Sequence, residues 1–304
     1  MIDRTHRRRT ALAGAAGAGI IAVVIALPLN GQAAASSVKC PQRIVSISPT
    51  ATEDLFAIGA GPRVVAVDSD SNYPAAAQRV RKPGLVAYTP SAEAILGTYR
   101  PNLVIVSYDA NHVVEGLRKG GVRVLFENTA ANLSGAYNQI EAIGAATCRL
   151  GAARAEVGSI KRQIASVARA ARPLAAGLTY YDEISAPAQS QNPYAASSRS
   201  FIGQLFGLLG MRNITNDPSG YPALSQEAII ASNPQLMFLS DNQPLDGGVT
   251  PKSVRSRTGW SSISAVAHNA IYGLNDDAAS RWGPRVTVLI RQIASSVRTY
   301  RRQH

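Results

Sequence analysis

Five tyrosines, Tyr73, Tyr88, Tyr108, Tyr194 and Tyr221, fall in stretches that read as loops, in a chain with eleven tyrosines and five phenylalanines. A tyrosine joins an apolar face to a phenol, which suits gripping a large planar or amphipathic molecule. Late in the chain Asp277, Arg281 and Trp282 lie between a strand at 270–273 and the last helical pattern. There a carboxylate and a guanidinium either pair with each other or meet polar groups of a ligand beside an indole face. Arg285 reads as helix surface, and Arg199 is a further candidate cleft cation. Nothing in this set is organised for bond making. The chain has no Gly-x-Ser-x-Gly elbow, phosphate loop or paired-histidine metal motif, and His6, His112, His268 and His304 are far apart. The reading is a binding protein with no catalytic residue and no metal ligand. An exported cell-wall hydrolase is the enzyme alternative, because residues distant in sequence can meet in a fold.

The elements that would position these side chains follow from periodicity. Val157, Ile160, Ile164, Val167 and Ala171 recur every three or four residues, with Arg154, Lys161, Arg162 and Arg169 between them. That spacing predicts one amphipathic helix from Ala152 to Ala171, with Gly151 and Pro173 as its ends. On each side of it a similar segment occurs. Ser91-Ala92-Glu93-Ala94-Ile95-Leu96 leads to Pro101 and the run Leu103–Val106, and Ser225-Gln226-Glu227-Ala228-Ile229-Ile230 leads to Pro234 and Leu236–Leu239. Each reads as a capped helix, a proline turn and a buried parallel strand. Glu93 and Glu227 both sit in a first helical turn, where the helix dipole favours a carboxylate. Near residue 43 the strand Arg43–Ser48 precedes Thr50-Ala51-Thr52-Glu53, a pattern that predicts a capping box. The expected fold is α/β, two lobes with central, mainly parallel sheets joined by a single long helix. Its boundaries are 36–150 for the first lobe, 151–172 for the linking helix and 173–304 for the second lobe.

Residues 1–35 read as an export signal: Arg4, Arg7, Arg8 and Arg9, an uncharged run from Ala11 to Leu27, and Ala33-Ala34-Ala35 before Ser36. Arg8-Arg9-Thr10 leaves Sec and twin-arginine routes both open, and an uncleaved anchor is the alternative to cleavage. The expected location is the periplasm or the outer face of the cytoplasmic membrane. Formal charge falls from +12 to +9 once those arginines and Asp3 are removed. The remaining cations are scattered singly, with no Arg-rich arm or zinc-finger spacing, so no nucleic-acid partner is expected. Cys40 and Cys148 are the chain's two cysteines. In an oxidising compartment they form a bridge, or else they are two buried thiols.

Four stretches resemble one family. They are Arg43–Glu53 (Arg-Ile-Val-Ser-Ile-Ser-Pro-Thr-Ala-Thr-Glu), Asn72-Tyr73-Pro74, Pro90–Ile95 with Pro101–Ile105, and Trp282-Gly283-Pro284-Arg285. Together they are similar to the iron-siderophore, haem and cobalamin binding proteins of ABC importers, over nearly the whole chain after the signal. The resemblance implies a class III, helical-backbone solute-binding protein, a monomer that captures cobalamin or a ferric siderophore between its lobes, with haem as the alternative. It implies no intrinsic cofactor, and an ABC permease dimer with its ATPase subunits as partner. Glu93 and Glu227 would dock on arginines of the two permease halves. Tyr73 and Tyr221, and Asp277 with Arg281, match cleft positions in cobalamin binders, and Tyr73 would be the first candidate for an axial phenolate if the cargo were haem. Few cleft cations lean the reading towards cobalamin or a neutral chelate. Three positions depart from the pattern. Residues 37–39 before Cys40 are not a lipid-attachment motif, Asn102 stands where Asp is common, and Trp282 stands where Pro is frequent.

Overall fold

The computed structural model describes residues 39–186, 192–242 and 248–304; the expected export signal lies outside them. The first half builds a four-stranded parallel sheet from β1 (Ile44–Ile47), β2 (Val64–Val67), β3 (Leu103–Val106) and β4 (Arg123–Phe126), in the order β2-β1-β3-β4. Helices α1 (Pro49–Ala57), α2 (Ala75–Gln78), α3 (Ala92–Tyr99), α4 (Val113–Lys119) and α5 (Leu133–Ala146) connect and cover it. Both β1 and β3 are buried throughout, as a strand covered on two faces must be. Asn102 explains one departure from the family pattern: its side-chain oxygen accepts from the amides of Gln42 and Arg43 at 3.1 and 3.0 Å. Accepting two neutral amides needs a carbonyl, not a full charge.

The linking helix α6 runs Leu150–Ala175, longer at both ends than its periodicity indicates, with Pro173 inside it. The proline sits in the last turn, where it removes a single intrahelical bond, and Ala171 and Ala175 keep that turn on the core. Gly151 falls within the first turn. A disulfide joins Cys40 to Cys148, Cα atoms 5.7 Å apart, and ties the start of the described chain to the turn between α5 and α6.

The second half places β5 (Thr179–Ser185) beside β6 (Tyr194–Ala195), which is antiparallel, and β7 (Arg212–Asn213), α7 (Phe201–Leu208) lying between these two in sequence. Helix α8 (Gln226–Ser232) then leads to β8 (Leu236–Leu239), and α9 (Pro251–Arg255) and α10 (Ser264–Ala267) to β9 (Ile271–Gly273). Strands β5, β8 and β9 are parallel neighbours. Tyr194, read as a loop residue, lies in the two-residue strand β6; so short an edge pairing leaves no alternation to detect. Short α11 (Asp276–Ala279) holds Asp277, and α12 (Val286–Gln303) packs along α6.

The two sequence repeats superpose in kind. Ser91 caps α3 and Ser225 caps α8 by accepting from the amide three residues on, and both helices end on a left-handed residue, Arg100 at φ 44° and Asn233 at φ 43°. A proline and a fully buried strand follow each time.

Candidate functional site

Parallel strands leave their C-terminal ends on one edge of each sheet, and the loops there build a cavity of about 730 Å³ between the two sheets. From the first half come Ser69, Asp70 and Asn72 after β2, Arg81, and Thr129 after β4. Opposite them stand Ile184 at the end of β5, Phe201 and Ile202 of α7, Tyr221, and Ser240 immediately after β8. The stretch Asp276–Trp282 completes the wall.

An ion-pair network secures that last stretch to the first half. Arg281 is 7 % exposed and donates from Nη1 to Glu53 Oε1 and Asn72 Oδ1, both at 2.9 Å. Its Nη2 donates to the Asp70 carbonyl at 2.9 Å and to Asp277 Oδ1 at 2.8 Å. Asp277 Oδ2 in turn accepts from Asn72 at 2.9 Å. Arg285, read as helix surface, grips Glu53 through two bonds of 2.9 and 2.6 Å and lies 4.6 Å over the Tyr73 ring. So Asp277 and Arg281 form a local pair, and the terminal nitrogens of Arg281 are engaged within the protein. Gly283 allows this close seating, since a Cβ there would approach Asp54 Oδ1 to 3.2 Å. Glu53 is the centre of the network and its carboxylate is buried. It makes no capping box, because Ser48 caps α1 and Pro49 opens it, which places Glu53 beyond reach of the cap.

Among the five tyrosines, Tyr221 stands in the cavity wall and Tyr73, Tyr88, Tyr108 and Tyr194 do not. Tyr73 turns to Arg285, Tyr88 and Tyr108, 69 and 56 % exposed, face each other at 6.0 Å, and Tyr194 lies in β6. Trp282 is half-buried in the wall, its indole N–H donating to Gln139 of α5 at 2.5 Å. Trp260, by contrast, is fully buried and bonded to Gln226 at 3.1 Å. Arg199 is bonded to Asn216 at 3.1 Å and lies outside the wall.

Sequence reading missed an acidic layer behind the second-half wall. Asp182 of β5 is fully buried, accepts from the Ser240 hydroxyl at 2.9 Å and has no hydrogen-bond partner for Oδ2 among the described residues; burial holds its carboxyl well above the usual range. Burial, reinforced by Glu183, pushes Asp241 up to about 7, and neither of its oxygens has a partner among the described residues. On the other face of β5, Glu183 forms a two-bond pair with Arg257 at 2.6 and 2.7 Å. In the first half, burial pushes Asp68 up to about 6 although Ser71 and the Asp70 amide donate to it. A signal for this layer was available in the charged pair Asp182-Glu183 inside an otherwise apolar strand pattern. Among the described residues, no three His, Cys, Asp or Glu side chains converge on a metal site.

Glu93 and Glu227 are exposed in the first turns of α3 and α8 and unpaired among the described residues. Thus each half presents one free carboxylate at an equivalent place in its fold.

Known proteins share both sequence and architecture with this chain. It is 29 % identical over 265 residues to an uncharacterised ABC transporter substrate-binding lipoprotein of Bacillus subtilis, covering 85 % of this chain and 81 % of that one. A vitamin B12-binding protein of Pectobacterium carotovorum is 24 % identical over 263 residues, covering 84 and 88 %. In architecture it is similar to the periplasmic haem-binding protein RhuT from Roseiflexus sp. RS-1, with a TM-score of 0.75 at 22 % identity over 85 % of this chain and 98 % of that one. Residues 44–278 match the family described as periplasmic binding protein, and with the two sheets, the linking helix and the cavity between them, the chain belongs to that family.

Proposed function

We propose that this chain is the extracytoplasmic substrate-binding component of an ABC importer, and that it carries cobalamin or a ferric siderophore between its lobes. The observation that carries the reading is the interlobe cavity of about 730 Å³ with an indole, a phenol and a phenyl ring in its wall. Its size falls within the range of organic-ligand pockets, ~300–1,000 Å³. The absence of a converging ligand set among the described residues suits a cargo that arrives with its metal already coordinated. Haem is the second reading. Its open axial position would look to Tyr221, the tyrosine in the wall, but burial raises that phenol and so opposes the phenolate.

Glu93 and Glu227 are proposed as the two permease contacts, one per lobe, facing a partner with two equivalent halves. Both cysteines are in the bridge, so neither carries a lipid. Export through residues 1–35, with that segment either cleaved or kept as an anchor, is the corresponding proposal for location. No helix among the described residues is long and apolar enough to cross a membrane.

Calorimetric titration of the purified chain with cyanocobalamin, a ferric hydroxamate, a ferric catecholate and haem tests the cargo assignment. Submicromolar, one-to-one binding of one of the first three is expected. Heat from haem alone would replace the assignment with the second reading.

A further inference from the structure

The hydrogens of the cavity wall are largely engaged by the protein itself. Ser69 donates its hydroxyl to Asp70 at 3.4 Å, Ser280 donates to the Asp277 carbonyl at 3.4 Å, and Ser240 donates to Asp182 at 2.9 Å. The indole N–H of Trp282 and both terminal nitrogens of Arg281 are engaged as described above. Donor capacity remains with Arg81, Thr129, Tyr221 and the second amide hydrogen of Asn72. The wall therefore offers lone pairs at its serines and hydrogens at these four residues.

Charge in the wall does not decide between cargoes: Asp277 is paired with Arg281, which also pairs with Glu53, and Arg81 stands in the same wall. The basic character of the whole chain lies elsewhere. Helices α6 and α12 carry Arg154, Lys161, Arg162, Arg169 and Arg172, and Arg291, Arg298, Arg301 and Arg302, against one carboxylate of their own, Glu156. No residue of either helix lines the cavity. The high net charge therefore says nothing in favour of an anionic cargo.

Ser240 is where this polarity is built most firmly. It follows β8 directly, so the strand fixes its backbone, and its amide is bonded to the Glu183 carbonyl at 2.7 Å. Asp182 lies on the same face of β5 as Ile184, another wall residue, and takes the serine's one hydrogen. A hydroxyl with its proton fixed in the rear can only accept from the front. Asp182 is buried and keeps one oxygen unpartnered among the described residues.

We infer that Ser240, oriented by Asp182, accepts an N–H of the cargo, and that at this point of the wall a chelate bearing an N–H donor is preferred over one bearing a carboxylate or catecholate oxygen. The inference deepens the chelate-binding reading above and rests on it. Asp182 acts as a positioning residue, since its contact with the cargo runs through Ser240. An anionic oxygen at this point would meet the serine lone pairs, with the serine hydrogen turned away from it.

Matched pairs of ligands test this on the intact chain. Cyanocobalamin is compared with its side-chain monocarboxylates, which exchange one amide for a carboxylate on the same ring, and ferrioxamine B with its N-succinyl form, which exchanges an ammonium for a carboxylate. The wild type is expected to bind the donor-bearing member of whichever pair it takes at least ~10-fold more tightly, the order of one lost charge-free hydrogen bond with its partner left unpaired. Ser240→Ala should weaken the donor-bearing member and leave the carboxylate member nearly unchanged, so the ratio falls towards unity. Asp182→Asn can turn its amide hydrogens towards Ser240 and release the serine proton into the cavity, which should improve the carboxylate member. Tight binding of both members with equal affinity by the wild type, or ratios unchanged in both variants, overturns the assignment of Ser240 while leaving the cargo reading in place. Failure of every chelate to bind overturns the cargo reading, and this inference with it. The wild-type comparison does not depend on either variant folding.

Discussion

Glu53 ties the site together through bonds to two arginines that arrive from more than two hundred residues away. Its carboxylate is almost wholly buried, so the arrangement is an uncompensated charge waiting to happen if one partner is removed. Glu53→Ala should therefore cost about 3 kcal/mol, the lower end for breaking a buried pair, since Arg281 keeps three other acceptors and Arg285 keeps the Tyr73 ring. Urea unfolding measures it; a cost within ~0.5 kcal/mol, as for a surface residue, would contradict the role given to the network. Glu53 was illegible in the sequence for a definite reason. A glutamate three residues after a threonine ahead of an apolar run has the form of a cap, and only Pro49 at the first helical position betrays that Ser48 takes that duty.

The buried carboxyls give a second prediction at this scale. Asp241 at about 7 and Asp68 at about 6 lie above the value of an unfolded aspartate, ~3.9, so between those limits the native state holds more protons than the unfolded one. Stability from these groups is fully present below pH ~4 and is lost as pH rises through 6 and 7. The melting temperature is expected to fall between pH 5.5 and 8, and Asp241→Asn to flatten that fall. A melting temperature that climbs over the same interval contradicts this account of the acidic layer.

At the scale of elements, the chain is two related units on a helical support. Helices α3 and α8 share a serine cap, a first-turn glutamate, a left-handed end and a proline before a buried strand. Because each half repeats the unit, a carboxylate placed in it recurs at the same place in both lobes. Glu93→Ala with Glu227→Ala is expected to leave cargo affinity unchanged and to abolish uptake by the reconstituted importer. Full uptake by the double variant would remove the docking proposal. These units were legible because cap, turn and apolar run are all local signals. The linking helix was legible for its stripe, while its ends were not: Pro173 costs one intrahelical bond in the last turn, and the burial of Ala171 and Ala175 offsets it. Strand β6 and the short helix α11 carry too few residues to show a period, so the sequence assigns neither Tyr194 nor Asp277 to an element.

Over the whole molecule, the excess of cations and the cavity are separated. That excess lies on α6 and α12, and the cavity between the sheets is walled by aromatics, serines, aspartates and two arginines. The fold class and the edge on which the cavity lies could be read from strand and helix order. Which tyrosines turn inward could not, because a loop's position fixes its edge and not the direction of its side chains; Tyr221 faces the cavity, while Tyr73 is held by an arginine from the far end of the chain.

In the proposed complex the cargo sits against Trp282. This indole lies in the wall, whereas Trp260, the other tryptophan, is enclosed in the second lobe's core. Emission of the apo-protein, corrected for inner-filter absorption, should be quenched saturably by the chelate that binds in calorimetry, with the same submicromolar midpoint. In Trp282→Phe the quenching should largely vanish while the calorimetric affinity falls by no more than ~10-fold, one wall contact among several. Equal quenching in wild type and Trp282→Phe, or tight binding with no change in emission, would place the cargo elsewhere and contradict the interlobe site.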